Sequence, residues 1–159
     1  MLRFPSSLPD DVIDRLTGLE QLRGIASGEF PMPTMLETLG FRLVEATART
    51  VVLVGAPGEN ALNPMGKIHG GWAASILDSA MGCAVHATLA PGERFATLEL
   101  KVNLTRALLP GMEPLTATGT LVSRGRRTAV SEAKLVGADG KTYAAGSSTC
   151  MILPPEPAR

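Results

Sequence analysis

Asp78 lies in the most apolar stretch of the chain, residues 72–89. A carboxylate there either reaches water along a stripe shared with Ser75 and Ser79, or is buried at a cost that pairing or an altered protonation state must offset. Upstream, the run Asn63-Pro64-Met65-Gly66-Lys67-Ile68-His69-Gly70-Gly71 places two glycines where that stretch begins. If the stretch is a helix, its first backbone N–H groups are unpaired and its dipole favours negative charge. Glycine lets a ligand approach the main chain closely, so this end can hold the oxyanion of an acyl-transfer intermediate. The plain alternative is a tight loop-to-helix turn.

The other reactive residues gather less well. His69 and His86 are the only histidines, and no further ligands stand near them, so no metal is expected. A Ser-His-Asp triad drawn from Ser75 or Ser79 lacks a nucleophile-elbow pattern, and His86 reads as a helix-end residue. Cys83 and Cys150 lack the paired spacing of a zinc site and read as buried free thiols. Arg124, Arg126 and Arg127 surround Gly125 at a turn, where they either form a solvated hairpin tip or bind phosphate; Arg106 is a weaker candidate for the same task. Trp72 and Met81 read as core residues.

These residues need elements to position them. Residues 9–26 carry Val12, Ile13, Leu16, Leu19, Leu22 and Ile25 at helical spacing behind Asp10 and Asp11, which predicts one amphipathic N-terminal helix. Pro31-Met32-Pro33 closes it, and residues 40–56 alternate as one or two strands. The apolar segment 72–89 is too long for a strand and predicts a helix buried on most sides. Alternation returns at residues 96–104, 115–122, 128–136 and 142–153, the last two joined by a turn at Ala138-Asp139-Gly140-Lys141. A frayed tail is expected at residues 154–157. Strands followed by one buried helix and four more strands make an α+β domain, with a curved antiparallel sheet as the economical wrapping for that helix.

Composition narrows the function classes. With 15 basic and 15 acidic residues, no overall field attracts nucleic acid or an anionic membrane, so an anionic ligand needs a local cluster. The acidic, proline-interrupted N-terminus does not resemble a signal peptide, and Asp78 and His86 make residues 72–89 a poor bilayer span. A cytoplasmic location is the expectation. At 159 residues, a domain at 34–159 with an N-terminal helical extension at 1–33 is expected.

Asn63, Gly66, His69-Gly70-Gly71 and Asp78 together resemble the signature of the PaaI-like thioesterases of the hotdog superfamily. The likeness continues through the strand at 97–106 and through Asp139-Gly140-Lys141, and covers roughly residues 35–153. It implies a hotdog fold and hydrolysis of an acyl-CoA without metal or redox cofactor. Homodimers or homotetramers, with active sites at the dimer interface, are implied as well. Mapped by position, Asp78 resembles the catalytic carboxylate and Gly70 the backbone oxyanion donor. Asn63 takes the place of an amide that positions water or carbonyl, His69 flanks the site, and Gly71 joins the substrate-binding set. Some relatives carry a Ser or Thr one turn after the acid, where this chain has Gly82.

Geometry bears on the same point, because eight residues of helix separate Gly70 from Asp78 by about 12 Å along the axis. One thioester carbonyl does not easily meet both. Two antiparallel helices about a two-fold axis would bring Gly70 of one chain near Asp78 of the other. Two other readings stand beside hydrolysis: a hotdog hydratase or dehydratase, and a non-catalytic acyl-CoA sensor. The His-Gly-Gly arrangement argues against the first, and the short, non-basic N-terminal helix argues against a DNA-binding version of the second.

Overall fold

The computed structural model describes residues 7–155. Parts of the N-terminal stretch (1–6) and of the expected frayed tail (156 and 157) lie outside them. Three short helices, α1 (Asp10–Arg15), α2 (Gly18–Ser27) and α3 (Thr34–Leu39), precede strands β1 (Phe41–Ala46) and β2 (Thr50–Gly55). A 3-10 turn (Glu59–Ala61) leads to the long helix α4 (Gly70–His86). Four strands follow: β3 (Arg94–Leu104), β4 (Leu115–Arg124), β5 (Thr128–Val136) and β6 (Thr142–Leu153).

The six strands form one antiparallel sheet in the order β1-β2-β4-β5-β6-β3. Bulges at Leu43/Glu45, Thr97/Glu99 and Leu121/Ser123 interrupt its register, and such bulges increase local bend and twist. The sheet curves around α4. Ile76, Leu77, Ala80, Met81, Ala84 and Val85 of that helix are wholly buried. Each large apolar side chain so buried contributes about 1.5–3 kcal/mol. A curved antiparallel sheet around one buried helix is the hotdog fold, as the sequence predicts.

Two glycines let α4 sit closely. A Cβ on Gly119 of β4 would lie 2.1 Å from the Ala80 carbonyl oxygen, so backbone meets backbone where the sheet crosses the helix. At the far end of α4, a Cβ on Gly18 would lie 1.8 Å from the His86 carbonyl oxygen, which docks α2.

The N-terminal region corrects the expectation of a single helix. Leu16 is extended, and Thr17 starts a second helix with a capping box: its hydroxyl meets the Glu20 N–H and the Glu20 carboxylate meets the Thr17 N–H. The helical periodicity runs through this break because both helices turn apolar residues to the core. Helix α3 is also additional. Pro33 caps it in an extended conformation, and Gly40, at φ 71°, ends it.

Candidate active site

The loop before α4 is shaped by Asn63. Its side-chain oxygen accepts from the N–H groups of Met65 at 2.9 Å and Lys67 at 3.1 Å, and its backbone N–H donates to the Lys67 carbonyl at 2.7 Å. This closes residues 63–67 into a compact turn with Gly66 at φ 69°. The amide nitrogen of Asn63 has no hydrogen-bond partner among the described residues, so it is available to a ligand. The backbone N–H of His69 donates to the Ala61 carbonyl, which fixes the point where the chain enters the helix.

His69 is the N-cap of α4. Its Nδ1 accepts from the Gly71 N–H at 2.9 Å, and its carbonyl accepts from Trp72. An Nδ1 that accepts is unprotonated, so neutral His69 carries its proton on Nε2. Since Gly71 is engaged by the cap, the Gly70 N–H remains the unpaired donor of the first turn. It opens into a cleft of about 370 Å³ lined by Asn63, Lys67, Gly70, Leu104 and Arg106, among others. A Cβ on Gly70 would lie 2.6 Å from Leu104 Cδ1, so the cleft wall is already in contact with the main chain there.

Asp78 lies two turns further along α4. Its side chain is half-buried, and Oδ1 is fully buried without a hydrogen-bond partner. Burial holds its pKa above the ordinary carboxylate value, while a hydrogen bond from Thr97 of β3 opposes the rise. Ser75 and Ser79, which the solvated-stripe reading joins to Asp78, direct their hydroxyls back to the carbonyls of Gly71 and Ser75. Neither serves the carboxylate. At Gly82, one turn on, the ring of Phe95 occupies the space beside the helix, 3.3 Å from where a Cβ would stand.

The structure thus brings Asn63, His69, Gly70, Gly71 and Arg106 to one end of α4 and leaves Asp78 at its middle. Arg124 is engaged elsewhere: its guanidinium bonds Glu93 at 2.6 Å and the Thr88 hydroxyl at 3.0 Å, and also meets the Gly125 carbonyl. Arg126 and Arg127 are exposed on the β4–β5 hairpin. Thr97 and Lys67 are site residues that sequence reasoning missed. The alternation at 96–104 places Thr97 on a strand without saying what it faces, and Lys67 was visible only as part of the loop. Among the described residues, no group of three or more His, Cys, Asp and Glu side chains could hold a metal.

The fold and this helix-end cleft define a hotdog domain. Residues 65–144, 80 of the 159, match the model of the Thioesterase superfamily, and the match runs from the Asn63 turn through α4 into the first residues of β6. The chain belongs to that superfamily, and at the level the family defines it is a thioesterase. Among solved structures it is similar to a phenylacetic acid degradation-related thioesterase-type protein from Ralstonia eutropha JMP134. That match has 30% identity and a TM-score of 0.74, and covers 82% of this chain and 98% of that one. It is similar also to a variant of the phenylacetic acid degradation protein PaaI from Thermus thermophilus, with 25% identity, a TM-score of 0.67, and 74% and 97% coverage. PaaI of E. coli, from the phenylacetic acid degradation operon, shares the fold at 19% identity with a TM-score of 0.75, covering 87% and 98%. No match is found among curated proteins.

Proposed function

We propose that the chain hydrolyses an acyl-CoA to the free acid and CoA, with Asp78 as the acid–base or nucleophilic group. The observation that carries this reading is the half-buried Asp78 carboxyl with one oxygen lacking any partner. Such a group is desolvated, raised in pKa and ready to accept a proton, as a general base requires. In the base route, water attacks the thioester carbonyl carbon and passes a proton to Asp78. The Gly70 N–H holds the resulting oxyanion, and the C–S bond then breaks as the thiolate regains a proton. In the nucleophilic route, Asp78 itself attacks and water cleaves the anhydride. Single-turnover hydrolysis in heavy-oxygen water separates the two, since only the second leaves label in Asp78.

Asn63 contributes its unpaired amide nitrogen to the carbonyl or the water, and His69 holds the helix end rigid. Lys67 and Arg106 flank the cleft and supply positive charge for the phosphates of coenzyme A. On the β4–β5 hairpin the same task falls to Arg126 and Arg127, with Arg124 bracing the turn through Glu93. The site is shared across a homodimer, because helix rise separates Gly70 from Asp78 by about 12 Å. A cytoplasmic location fits an enzyme of this substrate; no helix among the described residues is long and apolar enough to cross a membrane.

Thiol release from a panel of acyl-CoAs tests the activity, and complementation tests the shared site. A bulky substitution at Gly70 and Asp78→Asn should each nearly inactivate a homodimer. In a mixed dimer both lesions fall in one site and the other is intact, so up to about half of the activity returns. No recovery, with subunit exchange and folding verified, means that each site lies within one chain.

A further inference from the structure

The N-terminal helices cover a cavity that the catalytic chemistry does not use. It measures about 480 Å³, within the roughly 300–1,000 Å³ range of small-molecule pockets. Leu22 and Ile25 of α2, Leu36 of α3, Leu43 of β1, and Cys83 and His86 of α4 line it. A second space of about 250 Å³ shares Leu8, Ile13 and His86 with the first and extends to Phe95. The two are neighbours with His86 in the wall of each. The walls are aliphatic for the most part, and His86 adds no charge, since burial lowers its pKa to about 4.

This space lies in line with the proposed site. Asp78, Gly82 and His86 follow one another at four-residue intervals on α4. Between the carboxylate and the cavity stands Gly82, with no side chain, and beside it the Phe95 ring, which also meets His86 edge-on at 5.8 Å. The Phe95 ring is thus the aromatic side chain nearest Gly82 on the line from Asp78 to His86. From Asp78 to His86 is about 12 Å along the axis. An extended chain covers about 3.4 Å per three bonds, so an acyl chain of about ten carbons reaches from a carbonyl at Asp78 to the cavity.

We infer that this cavity receives the acyl chain past Gly82 and Phe95, and that the preferred substrates carry a straight aliphatic acyl group of about ten carbons. The inference rests on the acyl-CoA hydrolase reading and adds the substrate class. It makes the N-terminal helices, which lie outside the matched region 65–144, the part of the chain that sets specificity.

Measurement of kcat/KM across butanoyl-, hexanoyl-, octanoyl-, decanoyl- and phenylacetyl-CoA tests it. Decanoyl-CoA is expected to exceed butanoyl- and phenylacetyl-CoA by at least about 10-fold, a factor that one or two buried methylenes can supply. Ile25→Trp, which fills the cavity, and Phe95→Trp, which obstructs the passage, should each lower the decanoyl-to-butanoyl ratio by about 10-fold or more. If Ile25→Trp does not fold, Thr34→Trp on the exposed cavity rim carries the same expectation. A flat profile, a preference for the phenylacetyl ester, or an unchanged ratio in the folded variants overturns the inference and leaves the hydrolase reading standing. Failure to hydrolyse any ester removes both.

Discussion

A half-buried carboxyl with no partner for one oxygen is an unfavourable place for charge, and Asp78 is held in that condition. Its pKa is raised by burial, so a base role predicts that activity falls with decreasing pH at values above the ordinary carboxylate pKa of 3.8. The Thr97 hydroxyl works in the opposite direction, and Thr97→Val should therefore move the acid limb of the pH–rate profile to higher pH. A profile that does not move separates Thr97 from the titration. Asp78→Asn should lower turnover by at least about 100-fold. A carboxylate whose folded pKa is raised weakens the fold when ionised, so the same variant should melt higher than the parent at neutral pH, with the difference closing in acid. Near-normal turnover in the folded variant would exclude Asp78 from the reaction. His86 has the opposite linkage: its pKa drops from 6.5 to about 4 on burial, where its Nε2 lies 2.9 Å from Gln21 Oε1. The contribution of neutral, buried His86 is fully present above pH 6.5, and about 3 kcal/mol is lost as pH falls from there toward 4. Chemical denaturation at stepped pH measures this, and His86→Gln should flatten the decline. Asp78 was legible because one acid in an apolar run is conspicuous. Thr97 was not, since no sequence spacing links it to Asp78; only the pairing of β3 beside α4 does.

Alternation reported the strands well because each lies on a sheet with one face toward α4, and β5 and β6 begin and end where the pattern does. At β3 it located the strand, residues 96–104 within Arg94–Leu104, but not its burial: a bulge and an edge position leave both faces largely open and expose Leu98, Leu100 and Leu104. The N-terminal helices were harder, because a 3.6-residue period does not register a short break between two helices that share a core face. Helix α3 is six residues long, too short to display a period, and its flanking prolines read as breakers. Close backbone approaches leave even less trace: Gly119 looks like an interruption of a strand, yet the whole α4 crossing depends on it. Gly119→Ala should destabilise the protein by about 1–3 kcal/mol or more, through the overpacking of a site with no room. Urea denaturation with an unchanged midpoint would show that the helix can move away at no cost.

For the whole molecule, the sheet is open, with β1 and β3 as its edge strands. β3 pairs with β6 alone, and its free edge carries unpaired backbone groups beside exposed leucines. On the proposed shared-site reading, a second copy of this chain would satisfy both needs and supply the other half of the site. The double variant Leu98→Lys with Leu100→Lys should therefore give monomers by light scattering, with thioesterase activity reduced together with dimer content. Fully active monomers would contradict a shared site. Trp72 has a consequence of another kind. It is the chain's only tryptophan, 3% exposed, with its indole N–H bonded to the Leu39 carbonyl at 2.9 Å and its ring 5.0 Å from that of Phe41. The tryptophan emission of the entire protein thus originates where the end of α3, the start of β1 and the first turn of α4 meet. A red shift that leaves the far-ultraviolet dichroism unchanged would signal that the N-terminal helices have lifted while the wrapped helix persists. The protein's own fluorescence thereby distinguishes loosening of its N-terminal helical roof from loss of its core.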